Sequence, residues 1–265
     1  MSSTTGRRVA AGTRDGIEFF NVLGVGVSAI NVDRAVAKIL SWIHADRKCY
    51  VTVTGMHGLI EAHSHADLKD IFNKADMVTP DGMPLVYIGR QRSFAVEQVR
   101  GADLMREVMR QTNGTDVSHF FYGGAPGVAE LLEKRLREQF PDLHVVGSYC
   151  PPFRPLSDLE EDEIVERING SDANIVWVGI STPKQDRWMK RMRQRLQPQV
   201  LIGVGAAFDF HAGLKTEAPK WMRVAALEWL YRLMCEPGRL WRRYAYGVPK
   251  FIWLVTRESL GPTAS

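Results

Sequence analysis

The sequence predicts an α/β fold: a mostly parallel sheet with helices on both faces, followed by a small helical appendage at the C-terminus. Three observations predict it. Short runs such as CYVTVT, SHFFYGG, NIVWVGI and QVLIGVG are apolar through both side-chain phases, as strands buried on two faces must be. Amphipathic helical stretches alternate with them, so the strands are joined by crossovers rather than hairpins. Beyond about residue 215 no core strand recurs, and the chain turns basic and aromatic.

The polar opening MSSTTGRRVAAGTRDG has no apolar run, so residues 1–16 are expected to be a disordered tail and not a signal peptide. IEFFNVLGVGVSAI reads as one strand or a tight pair around Gly24 and Gly26. Asn31 caps a helix whose apolar positions are Val32, Ala35, Ile39 and Ile43. Strand CYVTVT follows, then helical material to residue 74, the short strand Met77-Val78-Thr79, a helix from about 82 and another from Gly101. Strand SHFFYGG precedes a helix over 126–139, and LHVVGSY precedes the Pro-rich loop CPPFRPLS. A helix over 158–169 leads to NIVWVGI, and one over 183–196 to QVLIGVG. The pattern is Rossmann-like, with a core over 17–215 and an appendage over 216–265.

At 265 residues and 45% apolar, the chain can bury one full core. Its formal charge of +4 is too small to imply a nucleic-acid partner. Three scattered cysteines, with no C-x-x-C and no Cys/His cluster, predict neither a disulfide framework nor a zinc site, and a reducing cytoplasm fits them. No run approaches the roughly 18–20 apolar residues a spanning helix needs. Between residues 215 and 257 there are nine Lys/Arg against three Asp/Glu, and four of the seven tryptophans. Basic and aromatic together point to an anionic partner, an anionic membrane surface among them.

Ligands of open parallel sheets sit beyond the carboxyl ends of the strands, so the residues there are the candidates. Asp81, between Pro80 and Gly82, is held rigidly at a strand end and could take a proton from a hydroxyl; a turn or helix cap is the plainer role. Tyr122, Gly123 and Gly124 in YGGAPG bring a glycine turn against a helix start, a geometry that can receive phosphate. The turn is neither G-x-G-x-x-G nor a P-loop. Asp209 could accept from ribose hydroxyls or cap a helix, and Gln185 could donate to sugar or phosphate or face solvent. His57 could be a base or a cap. No two aspartates stand two residues apart, so the D-x-D that holds a divalent ion on a sugar nucleotide is missing. Arg232, Arg239, Arg242 and Arg243 could supply the positive charge instead, although Pro237-Gly238 interrupts the helix that would align them.

VTVTGMHGLIEA, ADMVTPDGMPLV, RGADLM, FFYGGAPGVAELL, VGISTPKQDRWM, GVGAAFDFHAG and APKWMRVAALEWLYRLMCEPGRLWRRY occur in order, and together they resemble the WecG/TagA/CpsF family of bacterial glycosyltransferases over roughly residues 20–247. The resemblance implies inverting, metal-independent transfer of a sugar from a UDP-sugar, often of the N-acetylmannosamine type or a related hexose or uronic acid, to a polyprenyl-diphosphate-linked glycan. Such steps build teichoic acid, capsule and exopolysaccharide. It further implies Asp81 as base, Thr54 and Gln185 as matching site residues, and Arg232, Arg239 and Arg242 on the diphosphate; the turn of Tyr122, Gly123 and Gly124 and Asp209, read from the residues themselves, are expected to hold the nucleotide sugar with Gln185. No metal and no nucleic acid are expected. The expected place is the cytoplasmic face of the membrane, peripherally bound through an appendage that closes the site, with a homo-oligomer left open. Departures from the family pattern are Met56 where Asn is common, Gln98 near an expected arginine that Arg100 could replace, and Asp186 for Glu. The alternative is a nucleotide-binding regulatory or scaffold protein that keeps the fold without the chemistry.

Overall fold

The computed structural model describes residues 11–225 and 227–260, with the side chains of Val224, Arg239 and Ser259 outside the described residues. The chain opens on an antiparallel meander of β1 (Ala11–Arg14), β2 (Ile17–Val22) and β3 (Val25–Ser28). β1 lies inside the stretch expected to be a disordered tail, and the correction has a simple cause. The strand is polar because it covers Phe19 with a glycine: a Cβ on Gly12 would stand 2.5 Å from that ring. Arg14 then donates to the Ala75 carbonyl at 2.7 Å, anchoring the strand to the core.

Beyond α1 (Val32–His44), the main sheet begins with β4 (Cys49–Thr54), followed by α2 (Met56–Ser64), α3 (Ala66–Lys74) and β5 (Met77–Pro80). Helices α4 (Met83–Gln91) and α5 (Gly101–Thr112) lead to β6 (Ser118–Gly123), α6 (Val128–Gln139), β7 (His144–Tyr149) and α7 (Asp158–Asn169). The core closes with β8 (Ile175–Gly179), α8 (Lys184–Met192), β9 (Val200–Gly203) and the short α9 (Ala207–His211). Six strands pair in parallel in the order β5-β4-β9-β8-β6-β7. The expected α/β architecture is therefore present, with the meander added at the β5 edge. There the Val78 N–H donates to Ser28 Oγ at 3.1 Å, and the Val99 N–H to the Pro80 carbonyl at 2.9 Å.

Strand alternation divides the interior into two layers. Tyr50, Val78, Phe120, Tyr122, Val176 and Leu201 face α2, α3, α4, α7 and α8; Val51, Val53, Phe121, Trp177 and Ile202 face α1, α5, α6 and α9. In the second layer a buried imidazole is held by hydrogen bonds. His119 Nδ1 accepts from Trp177 Nε1 at 3.1 Å, which leaves Nε2–H to face Thr112 Oγ1 at 2.9 Å. The Thr112 hydroxyl passes its own proton to the Val108 carbonyl at 2.8 Å. Burial pushes the imidazole down to about 3, since no anion compensates a charge there.

Three helices follow the core: α10 (Lys220–Val224), α11 (Glu228–Cys235) and α12 (Pro237–Leu260). Glu236 separates the last two, so the interruption read at Pro237-Gly238 is real and α12 starts on the proline. Leu240, Phe251 and Leu254 bury the inner face of α12, while Trp221, Trp241, Tyr246 and Trp253 stay exposed. No described helix is long and apolar enough to cross a membrane.

The His119 network carries a pH signature. A histidine whose folded pKa is depressed from 6.5 to about 3 supports the fold above its unfolded pKa and loses that support as pH falls toward 3. Chemical denaturation at pH 7 and pH 5 should show about 2 kcal/mol less stability from this group at the lower pH. A His119→Gln variant, less stable at pH 7, should show a shallower slope.

Candidate active site

Four strand ends build the floor of one cavity of about 590 Å³: those of β4, β5, β8 and β9. At β4 the chain turns through Gly55 into α2, and at β5 it turns through Asp81 and Gly82 into α4. The two turns are locked together. The Asp81 N–H donates to the Thr54 carbonyl at 2.9 Å, and the Asp81 carbonyl sits so close over Gly55 that a Cβ there would be 2.4 Å away. Gly82 has φ 128°, a backbone state that residues with side chains rarely adopt. Pro80, Asp81 and Gly82 thus form a fixed bracket that presents one carboxylate to the cavity.

Asp81 lines that cavity and is half-buried, and its pKa is lifted to about 6. Burial is the main cause and the Glu228 carboxylate the next, opposed by the Arg100 and Arg232 guanidiniums. Thr54 lines the same wall; its Oγ1 is buried and has no hydrogen-bond partner among the described residues. Gln185 is also on the wall, but its side chain is committed to the scaffold: Oε1 accepts from the Gly205 N–H at 3.0 Å, tying the β8 loop to the β9 loop. Its neighbour Asp186 is fully buried, and burial lifts it to about 7. His57, at the start of α2, is pushed down by burial and by Arg243.

The roof comes from α11 and α12, which contribute Glu228, Trp229, Arg232, Arg243, Tyr244 and Phe251. Arg100 joins roof to floor: its Nη1 lies 2.9 Å from Glu217 and 3.2 Å from Asp103, and its Nε 3.3 Å from Glu228. Below, α2, α4, α5 and α8 all begin at the cavity without a side-chain cap; of the helices that begin elsewhere, α1 and α7 are capped by Asn31 and Ser157, and α3 and α6 are not. Uncapped helix N-termini leave N–H groups and positive dipole ends for an anion. Together with the arginines they make the cavity suited to a phosphate-bearing ligand.

Of the residues singled out from sequence, Thr54, His57, Asp81, Gln185, Arg232 and Arg243 meet on this wall. Tyr122, Gly123, Gly124, Asp209 and Arg242 do not line it. The Tyr122 ring is buried, stacked 4.0 Å from Trp188. The Gly124 N–H is spent on the Gly179 carbonyl at 3.1 Å, and a Cβ on Gly123 would stand 2.7 Å from Gly179. These glycines let β6 and β8 converge, and the Gly124 N–H is already engaged there. Asp209 is paired with Lys215 at 2.8 Å, and the Arg242 guanidinium lies over the Trp241 ring. Arg239 lies outside the described side chains. Glu228 and Trp229 went unread in the sequence, and Arg243 replaces Arg242 because the interruption at Glu236 resets the helical phase. The stripe Tyr244, Val248, Phe251, Val255, spaced by three and four, is the signal that would have placed Arg243 beside the cavity.

Because Asp81 is carried by a backbone contact, Gly55→Ala should move it without touching its chemistry. Catalytic activity should fall at least about tenfold while the thermal melting temperature drops by only a few degrees; unchanged activity would mean the bracket does not set the carboxylate's position.

The glycosyl transferase WecG/TagA/CpsF family model matches residues 20–265, which spans the sheet, the bracket and the roof helices. A cavity suited to phosphate, a carboxylate fixed on its wall and this match agree, and the chain belongs to the WecG/TagA/CpsF family of glycosyl transferases, enzymes of cell-surface polysaccharide synthesis.

Proposed function

We propose that the protein is an inverting transferase that moves a sugar from a UDP-sugar, of the N-acetylmannosamine type or a related hexose or uronic acid, to a polyprenyl-diphosphate-linked acceptor. In this reading Asp81 takes the proton of the acceptor hydroxyl as its oxygen attacks the anomeric carbon. The bond to the diphosphate breaks on the opposite face, and UDP departs with the electron pair. The observation that carries the reading is the placement of Asp81 at the strand-end bracket, in one cavity with Arg232 and Arg243. A carboxylate lifted to about 6 is ionised at neutral pH and still a stronger base than an ordinary aspartate.

Fixed cations and helix N-termini would offset the charge building on the leaving diphosphate. Those groups take the part that a D-x-D-bound divalent ion plays elsewhere, and the reaction is proposed to need no metal. The exposed tryptophans and basic residues of α10 to α12 are proposed to rest on an anionic membrane surface, with the roof helices closing the site over the donor.

Replacing the base isolates its role. Asp81→Asn should lower turnover by about 100-fold or more while UDP binding, followed by calorimetry, persists; near-normal turnover would remove Asp81 from the mechanism. Since Asp81 must be ionised to act, kcat/KM of the wild-type protein should fall about tenfold per pH unit below about 6. Activity should also survive excess EDTA, and restoration only by an added divalent ion would overturn the arginine assignment.

A further inference from the structure

The roof brings a carboxylate as well as arginines. Glu228, the first residue of α11, lines the cavity, and its carboxylate lies 3.3 Å from Arg100 Nε. Arg100 itself is held beside Asp81 by the backbone. The Val99 N–H bonds the Pro80 carbonyl at 2.9 Å, so residues 100 and 81 each follow a paired neighbour. The remaining acids near Arg100 are shared. Glu217 also serves Arg106 at 2.7 Å and Arg223 at 3.4 Å, and Asp103 also meets Arg106 at 3.4 Å. Among the described residues Glu228 is paired with Arg100 alone.

We propose that Glu228 is a positioning residue for transfer: paired with Arg100 across the cavity, it holds and offsets that guanidinium beside Asp81. The inference rests on the reading of Asp81 as base. An uncompensated guanidinium favours the carboxylate and weakens it as a base. The charges acting on Asp81 come from several elements: Arg100 before α5, Asp103 within it, and Glu228 and Arg232 from α11. His57 of α2 and Arg243 of α12 stand on the same wall. Glu228 is the foremost of the charges that strengthen the base, and Arg100 the foremost that weaken it. Arg232 stands on the same helix and acts on Asp81 in the opposite sense, so Glu228 is what keeps the cations of this wall from weakening the base.

The test is a carboxyl titration of the full-length protein labelled with ¹³C-aspartate, the Asp81 signal being identified by its loss in Asp81→Asn. The wild-type midpoint is expected near 6. In Glu228→Gln it should fall by about one pH unit, a tenfold gain in acidity. Glu228→Asp, which keeps the charge, should recover most of the difference. Arg100→Gln, which leaves Glu228 in place, should move the midpoint upward and gives an independent reading if the first variant does not fold. An unmoved midpoint in a folded Glu228→Gln protein, or in Arg100→Gln, overturns the inference and leaves Asp81 as a candidate base. Normal turnover by Asp81→Asn would instead remove the base reading while the titration result stood.

Discussion

The site depends on one backbone contact, the closure of the β5 turn onto the end of β4. Thr54 gives its carbonyl to the Asp81 N–H, and Gly55 yields the space that the Asp81 carbonyl occupies. Neither interaction involves the carboxylate, which is why the carboxylate is free for chemistry. The same closure fixes Thr54, starts α2 and α4 on the cavity floor, and sets the line along which Val99 and Arg100 run. Three candidate functional groups therefore inherit their positions from a contact between main chains. A rigid element of this kind holds a group better than a loop ordered by its own side chains.

Around that bracket the electrostatics oppose one another in a useful way. Uncapped helix ends and the guanidiniums of Arg100, Arg232 and Arg243 make the cavity attractive to anions. Left alone, the same field would hold Asp81 firmly ionised and make it a poor proton acceptor. Burial and Glu228 outweigh the guanidiniums, so a basic carboxylate persists within a cationic cavity. Gln185 contributes by holding two loops together, a role that matters to the cavity without requiring contact with a ligand.

Much of the sheet was legible because buried parallel strands are apolar in both phases; β4, β6, β8 and β9 read that way, whereas the edge strand β7 is only half-buried and more polar. β1 was not legible, since its packing partner is a ring lying over glycine and its own side chains are polar. At the site, Asp81 was legible from the proline and glycine that frame it. Tyr122, Gly123 and Gly124 lie off that cavity: glycine at a strand end serves a close approach, and sequence does not say whether strand or ligand approaches. At β6 it is β8. Arg100 and Glu228 were the hardest to read, because their meaning lies in a pairing across 128 positions of chain that no local pattern encodes.

The break at Glu236 has a consequence for how the roof can vary. Arg232 and Arg243 reach one cavity from two helices, so the length of the turn between them acts as a ruler. An α-helix advances about 100° per residue. One residue added or removed at that turn would swing Arg243 and the Tyr244–Val255 stripe around the helix axis, taking the cation and the apolar seal off the cavity together. The roof can therefore tolerate exchange of side chains along its outer face, but not a change in the number of residues at its corner.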